Sequence, residues 1–265
     1  MKIGTGIYLE KLKENPDFYQ ETYTCLELQD FVMPSNLDEN RNEIVEEYRA
    51  ILKNYKGLLT IHGPYIDLHP TSFDPLVRDL CAQRYRQALQ AAAALNAKFM
   101  VVHSDYESAA YYEGYEDYFL KQSILFWKNI ISEFEALRVT VVIENIHNKT
   151  ADLIKSVINT VNSPYLAACL DTGHAHALGK SLLTPWVASY GQHLQYIHLH
   201  DNHGEKDQHL SLGEGSIDFE EFFIKLKESH YDSVIVCEIF EGIEIQQKNL
   251  KQLETFLKIP LGVSS

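Results

Sequence analysis

Basic residues are scarce in this chain, and arginine is the scarcest. Six arginines (Arg41, Arg49, Arg78, Arg84, Arg86, Arg138) are scattered through a sequence whose net charge is −14. The phosphates of a nucleic acid would be repelled at long range, and no basic run is present to grip a backbone, so a nucleic-acid partner is not expected. Cysteine is also sparse. Cys25, Cys81, Cys169 and Cys237 lie far apart, without zinc-ribbon or redox spacing. Three of them fall within apolar runs, which reads as buried thiols in a reducing, cytoplasmic location. No apolar stretch approaches the length of a bilayer span, and the opening MKIGTGIYLEKLK reads as a first strand entering a turn, not as a signal peptide. A membrane partner is therefore not expected. Pro/Ser-rich linkers, low-complexity tracts and abrupt shifts of composition are missing as well. One domain over residues 1–265, with 45% hydrophobic residues to build a core, is the economical reading.

What is present is an alternation of short β-rich runs with longer amphipathic stretches. The strand candidates are Lys2–Ile7, Thr24–Leu28, Leu58–His62, Phe99–His103, Thr140–Glu144, Ala167–Asp171, Tyr196–His200 and Val234–Glu238. Helical patterns cover Asn40–Tyr55, Pro75–Asn96, Tyr118–Leu137, Ala151–Val161, Phe219–Glu228 and Ile245–Leu257. The strands are apolar at consecutive positions, as parallel strands buried on both faces must be. Eight strand–helix units in this length predict an α/β fold, a (β/α)8 TIM barrel of a single domain. An open doubly wound sheet would carry a Gly-rich phosphate turn after its first strand, and GTGIYLE lacks that spacing.

Nine metal-ligand residue types fall at or just beyond the ends of successive strands: His62, His103, Glu144, Asp171, His174, His198, Asp207, His209 and Glu238. The runs that lead to them are LLTIH, FMVVH, VTVVIE, LAACLD, YIHLHD and SVIVCE. In a barrel, catalytic groups come from the carboxyl ends of several strands, so these side chains are placed to converge. A lone histidine at a strand end is more often structural, but a carboxylate that ends an apolar strand requires a partner, which marks Glu144 and Glu238. Imidazole and carboxylate ligands without thiolate suit Zn²⁺, Mn²⁺ or a similar divalent ion. Asp201 is expected either to orient His198 or to bind substrate. His147, His176, His193, His200, His203 and His230 lack the positional logic and read as solvated or supporting residues.

The segments IHGPYIDLHP, VVHS, VVIEN, CLDTGHAHALG, IHLHDN and DQHLSLGEGSIDF resemble the endonuclease IV/xylose-isomerase-like barrel superfamily, with CLDTGHAHALG and DQHLSLGEG the most specific. Its endonuclease IV pattern implies three ions: one held by His62, His103 and Glu144, a second by Glu144, Asp171, His198 and Glu238, and a third by His174, Asp207 and His209. The sugar isomerase and epimerase branch implies the central four around one ion, so the expectation is one to three divalent ions per chain.

Two reactions follow. In a sugar or sugar-phosphate isomerase/epimerase, Glu144 and Glu238 move a proton between neighbouring carbons while a metal stabilises the enediolate, and His174 holds a substrate hydroxyl. The segment LELQDF after the second strand resembles this branch. In an endonuclease IV-like phosphodiesterase, clustered metals activate water, and Tyr65 matches a DNA-contacting tyrosine. The acidic stretch DFVMPSNLDENRNE lacks the basic, aromatic character a duplex needs, so Tyr65 reads as lining a small-molecule pocket and the isomerase is preferred. A non-catalytic metal-binding barrel is the third reading. Exposed helical faces of such barrels often pair, which leaves a homo-oligomer open as the assembly.

Overall fold

Eight parallel strands close on themselves in chain order. They are β1 (Lys2–Ile7), β2 (Cys25–Leu28), β3 (Leu58–His62), β4 (Phe99–His103), β5 (Thr140–Glu144), β6 (Leu166–Asp171), β7 (Leu194–Leu199) and β8 (Val234–Cys237). The protein is seen here in a computed structural model that describes residues 1–107 and 113–258, so the last residues of the expected 1–265 domain lie outside the described part. The single-domain TIM barrel expected from the alternation is what forms. No described helix is long and apolar enough to cross a membrane.

The main helices form where pattern and termini agree. Pro75–Ala94 starts with proline at its first position, and the Asp74 carboxylate accepts from the Leu76 N–H at 2.8 Å. Phe219–Glu228 is capped in the same way by Asp218, which accepts from the Glu221 N–H at 3.0 Å. Asp152–Val161 ends at Asn162 in the left-handed region (φ 54°), where an amide side chain is tolerated better than most. Tyr115–Leu137 begins three residues earlier than the periodicity predicts. Five short helices, Leu9–Glu14, Pro16–Thr22, Pro34–Asp38, Thr172–Ala177 and Thr184–Tyr190, escape the sequence reading, because segments of five to seven residues carry too little periodicity to declare themselves.

The sheet separates two cores. Outward residues such as Leu26, Ile61, Met100, Val141, Leu170 and Ile197 pack under the helices. Inward residues Cys25, Val101, Val142, Ala167, Cys169, Tyr196, Val234 and Val236 fill the lower lumen. Because side chains alternate faces, each inward position is followed two residues later by another. The positions that follow these are Glu27, His103, Glu144, Asp171, His198 and Glu238. One irregularity sets this register. Between β6 and β7 the pairing shifts, with Ala168 opposite Leu194 but Cys169 opposite Tyr196. The bulge turns Tyr196 and His198 inward, and Asp171 then lies directly across from His198.

Candidate metal centre

Each ligand-type residue expected at a strand end arrives at the carboxyl mouth of the barrel, and the strand pairing makes several of them neighbours. His103 is paired with Glu144 and Asp171 with His198. Glu144, Asp171, His198 and Glu238 are all buried, and their donor atoms form one group. His198 Nδ1 lies 3.3 Å from Glu144 Oε1, 3.5 Å from Glu238 Oε1 and 3.8 Å from Asp171 Oδ2. His62 Nε2 and His103 Nε2 approach the other Glu144 oxygen, Oε2, at 3.5 and 3.6 Å. On the far side, Asp207 Oδ2 sits between His174 Nε2 at 3.2 Å and His209 Nε2 at 3.0 Å. All nine residues therefore belong to one connected cluster.

The hydrogen bonds behind the histidines decide what these contacts are. A backbone carbonyl only accepts, so an imidazole nitrogen facing one carries the proton. His62 Nδ1 faces Gly63 O at 2.9 Å, His174 Nδ1 faces Asn145 O at 3.1 Å, and His209 Nδ1 faces Glu238 O at 2.9 Å. Each neutral ring then aims an Nε2 lone pair at a carboxylate oxygen, an arrangement that is repulsive unless a cation or a second proton lies between. Buried Glu144 Oε2 and His198 Nδ1 have no hydrogen-bond partner among the described residues. Two ligands of one ion, each roughly 2.0–2.2 Å from it at tetrahedral or octahedral angles, lie about 2.9–3.5 Å apart. Most of the nitrogen–oxygen distances above fall in or near that interval. The residues fit a divalent metal.

Without an ion, protons take up the charge. Burial pulls His174 and His198 down, but it is overcome by Asp171, Asp207 and Glu144 for the former and by Glu238, Glu27 and Glu144 for the latter, so both rings are held well above the usual range. His209 rises to about 9 against burial, through Asp207, Glu238 and Asp171. His103 goes the other way. Burial, only partly offset by Glu144, takes it down to about 3, and His62, His174 and His198 add to the fall. Among the carboxylates, burial raises Glu144, yet His198 and His103 hold it well below its ordinary value. Glu238 is raised by burial and by Glu144, Glu27 and Asp171, with His198 opposing.

The local backbone explains the placement. Asp171 ends β6 and also caps the helix Thr172–Ala177, accepting from His174 N–H at 2.6 Å. His174 therefore stands on a helical turn just beyond the strand end. The long segment after β7 is folded by Asp201, which pairs with Leu210 in an isolated bridge. Its carboxylate accepts from the N–H groups of Asn202, Gly213, Gly215 and Ile217 at 2.8–3.2 Å. A Cβ on Gly215 would lie 2.3 Å from that carboxylate, so glycine is required there. Of the two roles expected for Asp201, orienting His198 is not what its oxygens do: they organise the loop that carries Asp207 and His209, and the carboxylate at His198 Nε2 is Glu27. Tyr65 covers the mouth over β3 and β4, stacked on His103 with ring centroids 4.1 Å apart.

Two further residues join the cluster: Glu27, which escapes the sequence reading, and His200, whose supporting alternative the structure favours over the solvated one. Fully buried Glu27 places Oε2 3.1 Å from His198 Nε2. It is a carboxylate near the end of an apolar strand, the same signal that marks Glu144 and Glu238. His200, read as a solvated or supporting residue, is fully buried, with Nε2 3.1 Å from Asp171 Oδ2 and 3.6 Å from Asp207 Oδ1. Its ring lies against Gly173, where a Cβ would come within 1.9 Å, and stacks on His209 at 3.9 Å. His200 Nδ1 has no described partner, and the residue groups with Asp171 and His174, and with His209 and Glu238, as a further candidate ligand.

Comparison with known proteins agrees with this architecture. A probable endonuclease 4 of Mycoplasmopsis synoviae is 26% identical over 221 residues, covering 74% of this chain and 73% of that protein. An uncharacterized protein of Methanocaldococcus jannaschii is 29% identical over 212 residues, 77% of this chain and 72% of its own. A solved D-tagatose 3-epimerase-like protein superposes with a TM-score of 0.83 at 26% identity, covering 97% of both chains. The profile of one family spans residues 22–257, from before β2 to the end of the last helix, and takes in the whole cluster. The chain belongs to the xylose isomerase-like TIM barrel family.

Proposed function

We propose that this protein is a divalent-metal-dependent isomerase or epimerase of a small sugar or sugar phosphate. The observation that carries the reading is the convergence of Glu144 and Glu238 on the unpartnered Nδ1 of His198, with Asp171 beside them. Those four residues would hold the central ion, which as Zn²⁺ or Mn²⁺ supplies Lewis-acid polarisation of a carbonyl and a neighbouring hydroxyl. The rest is done by the chain. Glu144 and Glu238 lie in environments that push their proton affinities apart, downward for the first and upward for the second. Such a pair suits proton exchange at a carbon next to a carbonyl, one carboxylate taking the proton and the other returning it, with the roles exchanged in the reverse direction. Tyr65 and Phe240, both partly exposed beside cluster histidines, offer flat apolar walls for the C–H face of a sugar. The epimerase-like name of the solved relative points to the same substrate class.

Incubation with D-tagatose and other small ketoses in D₂O, with Mn²⁺ or Zn²⁺ supplied, tests the reading. Deuterium should enter the carbon next to the carbonyl, and Glu238→Gln should not support the exchange. Exchange undiminished in that variant would remove Glu238 from the chemistry.

A second reading keeps one specific observation. Asp207 between His174 and His209, together with His62 and His103 on Glu144, gives outer ligand sets that one-ion sugar chemistry does not use. Those sets suit a trinuclear zinc site and endonuclease IV-like phosphodiester cleavage, in line with the endonuclease 4 relative. Metal-dependent nicking of an abasic-site duplex, lost in Glu144→Ala, would favour it over the sugar reaction.

A further inference from the structure

We propose that Glu27 is the positioning residue that makes His198 a metal ligand through Nδ1, a role that presupposes the divalent-metal reading of the cluster. A neutral imidazole offers a lone pair on one nitrogen only, and the partner of the other nitrogen decides which. His62 and His209 are fixed by backbone carbonyls at Nδ1 and turn Nε2 to the cluster, whereas His174 Nδ1 is shared between Asn145 O and Glu144 Oε1, both at 3.1 Å. His198 is inverted. It presents Nδ1 to Glu144, Glu238 and Asp171, so its proton must stay on Nε2.

The acceptor that holds this proton comes from across the lumen. His198 lies inside β7, where the strand carbonyls are committed to the ladders with β6 and β8, and a side chain must take their place. Glu27 of β2 does so, with Oε2 3.1 Å from Nε2 and both side chains fully buried. The carboxylate is itself held, since Gln29 Nε2 donates to Oε1 at 2.7 Å. Gln29 in turn needs the space left by Gly6, where a Cβ would stand 2.9 Å from Nε2. Gly6, Gln29, Glu27 and His198 therefore form one line of support, which fixes the tautomer and makes Nδ1 a stronger donor.

The test is zinc affinity by chelator competition, with the visible spectrum of the cobalt(II)-loaded protein as a report on ligand geometry, in wild type, Glu27→Ala and Glu27→Gln. E27A should bind zinc about 10–100-fold more weakly and give an altered cobalt spectrum. E27Q keeps an oxygen that can accept from Nε2–H. It should restore the cobalt spectrum and recover part of the affinity, a rescue that a purely structural carboxylate does not produce. Zinc affinity in E27A equal to wild type overturns the proposal, as does an equal loss in both variants with an unchanged spectrum. Should E27A not fold, E27Q carries the test alone: weaker zinc binding with the wild-type spectrum is expected, and unchanged affinity overturns it. Wild-type protein that binds neither zinc nor cobalt takes down the metal reading itself, and this role with it.

Discussion

Inside the barrel, Cys25 and Glu27, Val142 and Glu144, Cys169 and Asp171, Tyr196 and His198, and Val236 and Glu238 are two residues apart on the same strands. The lower member of each pair belongs to a dry layer of apolar side chains and thiols, and the upper member to the charged cluster. The lower layer's close polar contacts gather on the Tyr196 hydroxyl, which lies 2.7 Å from Thr60 Oγ1 and also bonds to Glu27 above it, with Cys25 Sγ 3.9 Å from Thr60. Burial, with Glu27 adding to it, pushes the Cys25 thiol up to about 12, so it stays neutral. The upper charges must therefore be balanced by one another and by whatever enters from the mouth, and in a poorly polarisable setting each of their contacts is strengthened. A single strand thus supplies a packing residue and, one pleat later, a functional one.

The widest contrast between the layers should appear when a member of each is changed. Glu238→Gln should lower the rate of proton exchange by about 10²–10⁴-fold. Its effect on stability should be small or favourable. Burial raises the folded-state pKa of Glu238 above its unfolded value, so the carboxylate is unfavourable to the metal-free fold once pH exceeds the unfolded value, and an uncharged amide relieves this. Val236→Ala, one pleat below, should do the reverse, costing about 1–3 kcal/mol of stability through lost burial and a small cavity while turnover per folded molecule holds. Urea unfolding and deuterium exchange on both variants check the pair. A Glu238→Gln protein that melts far below wild type would break the division between layers.

Much of this arrangement is legible in the sequence. Alternating elements predict the barrel, and residues that end apolar strands predict the members of the upper layer. What is not legible depends on a partner far away in the chain. Glu27 obeys the same rule as Glu144, but its meaning comes from His198, 171 positions later. His200 looks redundant beside His198 until Gly173 and Asp171 are seen to seat its ring. Asp201 is next to the cluster in sequence, yet backbone N–H groups from the following loop claim its carboxylate. Local pattern specifies which face a side chain takes, and tertiary partners specify its use.

Metal binding should separate the layers by their response to pH. In the metal-free protein His209 titrates near 9, and His174 and His198 are held well above the ordinary imidazole range, so these rings are protonated at neutral pH. An ion can bind such a ring only by displacing its proton. Zinc affinity should consequently rise with pH below 9, by about tenfold per pH unit for each proton displaced. Calorimetry at pH 7.5 in buffers of different ionisation enthalpy should show at least one proton released per zinc. Heats independent of the buffer would mean that the histidines are already neutral, and would remove the proton as the stand-in for the metal.

The smallest expected effect lies at the boundary between the layers. Tyr196 is fully buried two residues before His198, and its hydroxyl is 2.7 Å from Thr60 Oγ1. Tyr196→Phe deletes that hydrogen bond and the hydroxyl's bond to Glu27 but preserves the ring that floors the cluster. Thr60 keeps Cys25 Sγ as a weak partner at 3.9 Å, so no strongly polar atom is stranded. The cost should be about 0.5–1.5 kcal/mol, the usual net value of a buried hydrogen bond. Zinc affinity should hold, because Glu27 keeps Gln29 Nε2 as a donor when the Tyr196 hydroxyl is lost and continues to orient His198. A Tyr196→Phe protein that loses zinc affinity as well as stability would show that the dry layer also tunes the ligands above it.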